Sequence, residues 1–244
     1  MALATGCPDD WSWNKLDEGP SVKIWGDKSE AVHFHPVWTM STVAVRGTRI
    51  LNGGQYYWEI ETGKRLYGTS IMFGIGTEKA RMSMRDFVNL LGADENSWGL
   101  NHRGVLWHKN KSRCYTDSFE EDTPTRIGLY FNGLEGTLSY YKDGKYLGIA
   151  FSGLDKIEEP LFPMLSSSAA RIELRLSSQK RAFHSLQDRC RLVILSQLKA
   201  KFHVEKLPVP PSIKEFLLAG PEQSEVPSKC KFTYDSDYYR RTFP

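Results

Sequence analysis

The chain has no run of apolar residues near the roughly 20 needed to span a bilayer. Residues 1–8 also lack the basic-then-apolar pattern of a secretory leader. Paired cysteines are missing too. Cys7, Cys114, Cys190 and Cys230 lie far apart, with no Cys-x-x-Cys spacing, which fits thiols kept reduced inside a cell and argues against a cysteine-held metal. Charge of one sign is not in excess: 32 Lys and Arg against 29 Asp and Glu leave +3, too balanced to mark a nucleic-acid surface. There is no Gly-x-Ser-x-Gly elbow, no internal repeat and no low-complexity tract. Gly74-Ile75-Gly76 lacks the third glycine and the strand-to-helix context of a dinucleotide loop, so these read as turn or bulge glycines. Together the absences predict an intracellular protein, cytoplasmic or nuclear, with no cofactor, no metal, no membrane contact and no direct nucleic-acid partner.

What is present is a core. Forty per cent hydrophobic residues, 12% of all residues being aromatic, in a chain of 244 suffice for one large domain and a small appendage. From Trp11 to about Ser177, short β-rich runs alternate with glycine turns, as in a sandwich or barrel. Thr42 to Arg46 alternates, Gln55 to Thr62 is aromatic and β-branched, Thr69 to Ile75 and Thr125 to Phe131 are apolar, and Arg171 to Leu176 alternates strictly. Lys142-Asp143-Gly144-Lys145 predicts a two-residue hairpin turn, because Asp-Gly supplies positive φ. Lys79 to Leu91 breaks the strand pattern, and Phe87, Leu90 and Leu91 share a helical face, predicting a loop with a helical turn.

After Ser178 the period changes. Leu186, Cys190, Val193, Ile194 and Leu198 recur at helical spacing, with Ser185 as N-cap and Asp188 in the first turn. Leu207-Pro208-Val209-Pro210-Pro211 cannot stay helical. A second capping pair, Ser212 and Glu215, then opens a short helix over Ile213 to Ala219, closed by Gly220-Pro221. The polar tail after Pro221 is expected to be mobile. An isolated helix this short is marginal in water, so its apolar stripe needs a partner, either the sandwich edge or another protein.

Ser185-Leu186-Gln187-Asp188-Arg189-Cys190-Arg191-Leu192-Val193-Ile194 resembles the elongin-binding box of SOCS-box proteins, and Leu207-Pro208-Val209-Pro210 with Ile213, Phe216 and Leu217 resembles their cullin-selecting box, usually Leu-Pro-Leu-Pro. Tyr57-Trp58-Glu59-Ile60, Phe73-Gly74-Ile75-Gly76, Ser97-Trp98-Gly99 and Gly136-Thr137-Leu138-Ser139-Tyr140-Tyr141 resemble, in order, the motifs of a SPRY domain. The whole is similar to SPRY domain-containing SOCS box proteins, and within them to a divergent third branch. The resemblance implies a mainly β fold: an antiparallel SPRY-type (B30.2-like) sandwich over 11–177, a helical SOCS box over 184–220, and a flexible tail over 221–244. It implies that Ser185, Leu186, Cys190, Val193 and Ile194 bind elongin C, itself paired with elongin B. Leu207, Pro208, Val209, Pro210 and Phe216 would bind the cullin-five scaffold with its RING subunit. A substrate protein's short linear motif, Asn-containing in relatives, would meet Pro36, Trp38, Thr69, Phe87, Leu90 and Gly92 at one end of the sandwich. Trp38 stands where relatives have a small residue, Phe87 replaces a tyrosine, Phe34 or His35 stands near an arginine position, and Ser167-Ser168-Ala169 replaces an aromatic loop. An altered motif is therefore expected.

Other chemistries find less support in the residues. Glu59-x-Glu61 places two carboxylates on one strand face, and carboxylates about 5 Å apart can serve a retaining glycosidase, but a polar strand face explains both. His33 and His35, two apart, have no third metal ligand and read as surface histidines. A stand-alone protein- or sugar-binding sandwich remains the alternative, since fold does not fix function.

Overall fold

A computed structural model describes residues 7–63, 68–120, 123–182, 186–198 and 201–218. The helix cap at Ser185, the Gly220-Pro221 stop and the tail 221–244 lie outside them. Two antiparallel sheets form a sandwich. In the first, the order is Lys145–Phe151, Thr137–Lys142, Arg126–Asn132, Gln55–Thr62, Ile172–Ala182, Ala31–Phe34 and Val22–Trp25, with Cys7–Pro8 paired to the end of Ile172–Ala182. In the second it is Lys111–Cys114, Val105–His108, Ser97–Asn101, Ile71–Gly76, Phe162–Ser167, Thr42–Arg46 and Ser83–Met84.

Alternation explains the layers. Trp58 and Ile60 of one strand, and Ile127, Leu129 and Phe131 of its neighbour, are buried in a core shared with Ile71, Phe73 and Ile75 of the facing sheet. Trp11 meets Trp13 and Trp58 edge-on, with ring centroids 5.3 and 6.3 Å apart, the geometry that aromatic quadrupoles favour. Tyr140, fully buried in the first sheet, donates its hydroxyl to the Phe73 carbonyl of the second over 2.9 Å. Its one polar atom is thereby satisfied and fixes the sheets' relative position.

The predicted hairpin is observed, with Asp143 and Gly144 at φ 49° and 79° between Thr137–Lys142 and Lys145–Phe151. Four expectations about the sandwich need correction. The last strand continues past Ser177 to Ala182, because a bulge near Leu176 lets residues 178–182 pair with Glu59 back to Gln55. Gly74 and Gly76 occupy neither turn nor bulge but the middle and end of the buried strand Ile71–Gly76, where a Cβ on Gly74 would overlap the Trp98 carbonyl. Residues 79–91 contain no helical turn. Ser83–Met84 pairs with Thr42–Arg46, and the Thr42 hydroxyl donates to Asp86 O (2.7 Å) and accepts from Val88 N (3.0 Å), so this backbone bonds sideways. The segment lies on the outer face of the second sheet, where Leu90 and Leu91 close a small cluster with Ala44, Met72, Ala80 and Met164. His35 is fully buried just beyond its strand, not at the surface.

Helix α1 spans Leu186–Gln197 and α2 spans Pro211–Leu218, with an unpredicted 3₁₀ turn over Lys201–Lys206 between them. Ser212 does not cap α2. The helix starts at Pro211, two residues before the expected Ile213, with Ile213 N and Lys214 N donating to Pro210 O, because proline suits the first helical position, where its missing N–H costs nothing.

Candidate functional site

Four hydrogen-bonded links close a ring of loops at one end of the sandwich. His35 leaves its strand with a left-handed φ of 47°. Its Nε2 lies 3.0 Å from Ser167 O and its Nδ1 2.8 Å from Thr39 Oγ1. The carbonyl can only accept, so Nε2 carries the proton and Thr39 donates to Nδ1. Burial lowers the His35 pKa, which keeps this neutral tautomer in place. Next, Ser168 N donates to Ser70 O and Ser70 N to Ser168 Oγ. Ser70 Oγ then donates to Asn89 Oδ1 over 3.0 Å. The Thr42 bonds to Asp86 and Val88 complete the circuit.

The ring carries the residues singled out for substrate binding in unequal ways. Trp38 is 67% exposed, flanked in sequence by the exposed Val37 and Met40, and Thr69, next to Ser70 of the same ring, is exposed as well. Pro36 and Phe87 are half-buried. Leu90 is not at the surface, being 1% exposed in the small cluster. Gly92 is buried too, at φ 86°, where any Cβ would overlap the Trp107 carbonyl. These two set the path of the segment, and their side-chain positions are closed to a ligand. Ser167, Ser168 and Ala169 are likewise buried. Sequence reasoning passed over Val37 and Met40, although Pro-Val-Trp-Thr-Met is an apolar run with no strand alternation. It also passed over Ser70 and Asn89, which nothing in a single sequence marks.

His102 underpins the same end, its Nδ1 accepting from Ile71 N over 3.3 Å. Burial lowers its pKa from 6.5 to about 4. Between those values the unfolded chain binds a proton that the folded chain does not, so this contribution is complete above about pH 6.5 and is lost as pH falls toward 4, by up to about 1.4 kcal/mol per pH unit. Urea midpoints measured from pH 7.5 to 4.5 are expected to fall more steeply for wild type than for His102→Asn, whose amide oxygen can replace Nδ1. Parallel curves would exclude His102 as a source of the acid sensitivity.

The Glu59 and Glu61 carboxylates are engaged structurally. Tyr57 donates its hydroxyl to Glu59 over 2.6 Å, and Arg126 lies 3.8 Å from Glu59 and 3.1 Å from Glu61. Among the described residues no group of three His, Cys, Asp or Glu could hold a metal ion, and no helix is long and apolar enough to cross a membrane.

The second candidate site is helical. Cys190 is exposed on α1, and Val193 and Ile194 are 62% and 38% exposed, so the described middle of the apolar stripe keeps much of its surface in water. Ser185 lies outside the described residues, and Leu186 opens α1. Val204 and Leu217 are buried between the small helices, the Arg191 guanidinium lies 5.6 Å from the centroid of the Phe216 ring, and Lys214 Nζ donates to Glu205 O over 2.6 Å. Pro208 and Pro210 are exposed, while Leu207, Val209 and Phe216 are half-buried. Phe216 thus faces α1 of its own chain.

Comparison with known proteins agrees with both parts. The SPRY domain family matches residues 55–179 and the SOCS box family residues 183–218. SPRY domain-containing SOCS box protein 3 of Xenopus tropicalis is 33% identical over 211 residues, covering 85% of this chain and 57% of that protein, so the chain spans little more than half of that relative's length. SPRY domain-containing SOCS box protein 1 of Homo sapiens is 31% identical over 220 residues, covering 85% of this chain and 80% of its own. Among solved structures, the SPRY domain of human HERC1 superposes with a TM-score of 0.55 at 13% identity, over 68% of this chain and 98% of that domain, a likeness of fold.

Proposed function

Because this chain belongs to the family of SPRY domain-containing SOCS box proteins, we propose that it is a non-catalytic substrate receptor of a ubiquitin ligase. The observation that carries the reading is the exposed stripe Cys190, Val193 and Ile194 on α1. Apolar side chains at helical spacing, left open to water on a helix too short to be stable alone, call for a partner groove. That partner is elongin C with elongin B, bound through Ser185, Leu186, Cys190, Val193 and Ile194. Leu207, Pro208, Val209 and Pro210 then meet the cullin-five scaffold with its RING subunit, Phe216 supporting them from α2. At the other end, the loop ring holds a short Asn-containing motif of the substrate between Trp38, Thr69, Pro36 and Phe87. Catalysis is by proximity: the bound substrate sits at high local concentration beside a ubiquitin-charged enzyme.

Co-expression with elongins B and C, followed by size-exclusion chromatography and addition of cullin-five, tests this. The chain is expected to co-elute with the elongin pair and to shift again with cullin. A folded chain eluting apart from the elongins would sink the ligase reading and leave a stand-alone binding module.

A further inference from the structure

Asn89 belongs to the loop ring, and the direction of its amide is settled by its neighbours. Asn101 Oδ1 accepts the backbone N–H groups of Arg103 (3.1 Å) and Val105 (3.0 Å). Both are donors, so the amide of Asn101 has only one orientation, and its Nδ2 must donate elsewhere. It donates to Asn89 Oδ1 over 3.3 Å. Ser70 Oγ donates to the same oxygen, Ser70 itself being fully buried. Two donors converging on one oxygen leave Asn89 no alternative but to turn its Nδ2 away from them. That nitrogen has no partner among the described residues and is not one of the buried unpartnered atoms, so it reaches the surface of the ring, two residues from Phe87.

We propose that Asn89 is a specificity-determining residue of the substrate site, donating Nδ2–H to an amide carbonyl oxygen of the bound peptide, and that Asn101 and Ser70 are the positioning residues that aim it. The inference rests on the reading of this end of the sandwich as a peptide site. A fixed, neutral donor suits that task. Its direction is set before the ligand arrives, so little ordering entropy is lost on binding, and a peptide lacking the acceptor leaves the donor unpaired. A carboxylate at position 89 would keep the bonds from Ser70 and Asn101 and lose only the outward donor. Asn101→Asp would act at one remove. It still accepts from Arg103 N and Val105 N but offers Asn89 a carboxylate oxygen, which favours rotating the Asn89 amide until its Nδ2 points inward and its oxygen outward.

The test is selection of a displayed random peptide library on the elongin-bound full chain, wild type, Asn89→Asp and Asn101→Asp, with affinities measured for the enriched wild-type peptides. Wild type is expected to enrich a motif, and both variants to bind it at least tenfold more weakly while melting and co-eluting with elongins as wild type does. Loss of preference at one Asn or Gln position identifies a side-chain carbonyl as the acceptor. Uniform weakening with the motif unchanged identifies a main-chain carbonyl. Variants that bind the wild-type peptides within twofold overturn the proposal and leave the peptide site standing. A wild type that enriches no peptide overturns the peptide site itself, and this proposal with it. Should Asn89→Asp melt early, Asn89→Ser, which keeps a small hydroxyl and removes the amide donor, replaces it, with the same tenfold loss required.

Discussion

Leu186→Ala/Cys190→Ala is expected to abolish co-elution with elongins B and C while leaving the sandwich's melting transition unchanged. The two positions lie one helical turn apart on α1, which starts at Leu186, so they share a face. Cys190 is exposed in the isolated chain, where truncating a surface side chain changes stability by no more than about 0.5 kcal/mol. In a partner's groove the same atoms become buried anchors, and losing a large aliphatic anchor costs about 2–4 kcal/mol. At about 1.4 kcal/mol per factor of ten, the double variant should bind at least a hundredfold more weakly, enough to separate the proteins at micromolar concentration. A variant that melts early as well would place α1 inside the chain's own fold. One that still co-elutes would place the elongin contact elsewhere.

Gly74→Ala is expected to be strongly disruptive for a single added methyl group, costing about 3 kcal/mol or more and lowering soluble yield. Gly74 pairs with Gly99 on one side and Met164 on the other, so neighbouring backbone flanks it on both edges. The added Cβ would overlap the Trp98 carbonyl and come within 2.9 Å of Gly99 Cα. Neither is the movable end of a side chain, and Trp98 is itself buried in the core. Thermal melting by circular dichroism would show it. A soluble Gly74→Ala chain melting within a few degrees of wild type would mean that the two strands can separate to admit a methyl group.

Much of the architecture was legible because sheet strands and turns follow local rules. Gln55–Thr62 and Thr42–Arg46 keep the bounds read from their side chains, and Asp143-Gly144 turns as a two-residue hairpin must. The 79–91 segment misled because Phe87, Leu90 and Leu91 do share a helical spacing. What decides its form is the distant hydroxyl of Thr42 and the apolar outer face of the second sheet. The end of the first sheet was misjudged at Ser177 for a similar reason. Residues 178–182 have no strand alternation of their own and are extended only because Gln55–Glu59 offers them a partner.

The sequence by itself determined the order of parts: an alternating, turn-punctuated sandwich, then a helix with an apolar stripe, a proline break and a second short helix. Each depends on side-chain period or backbone chemistry within a few residues. Only the tertiary structure decided which residues of the loop ring face outward. Leu90 and Gly92 are closed off by packing, Trp38 is open, and Asn89, unremarkable in the sequence, is aimed by Asn101 and Ser70. Those outcomes depend on atoms brought together from strands far apart in the chain, and hydrogen-bond direction at a buried junction exists only once all its members are in place.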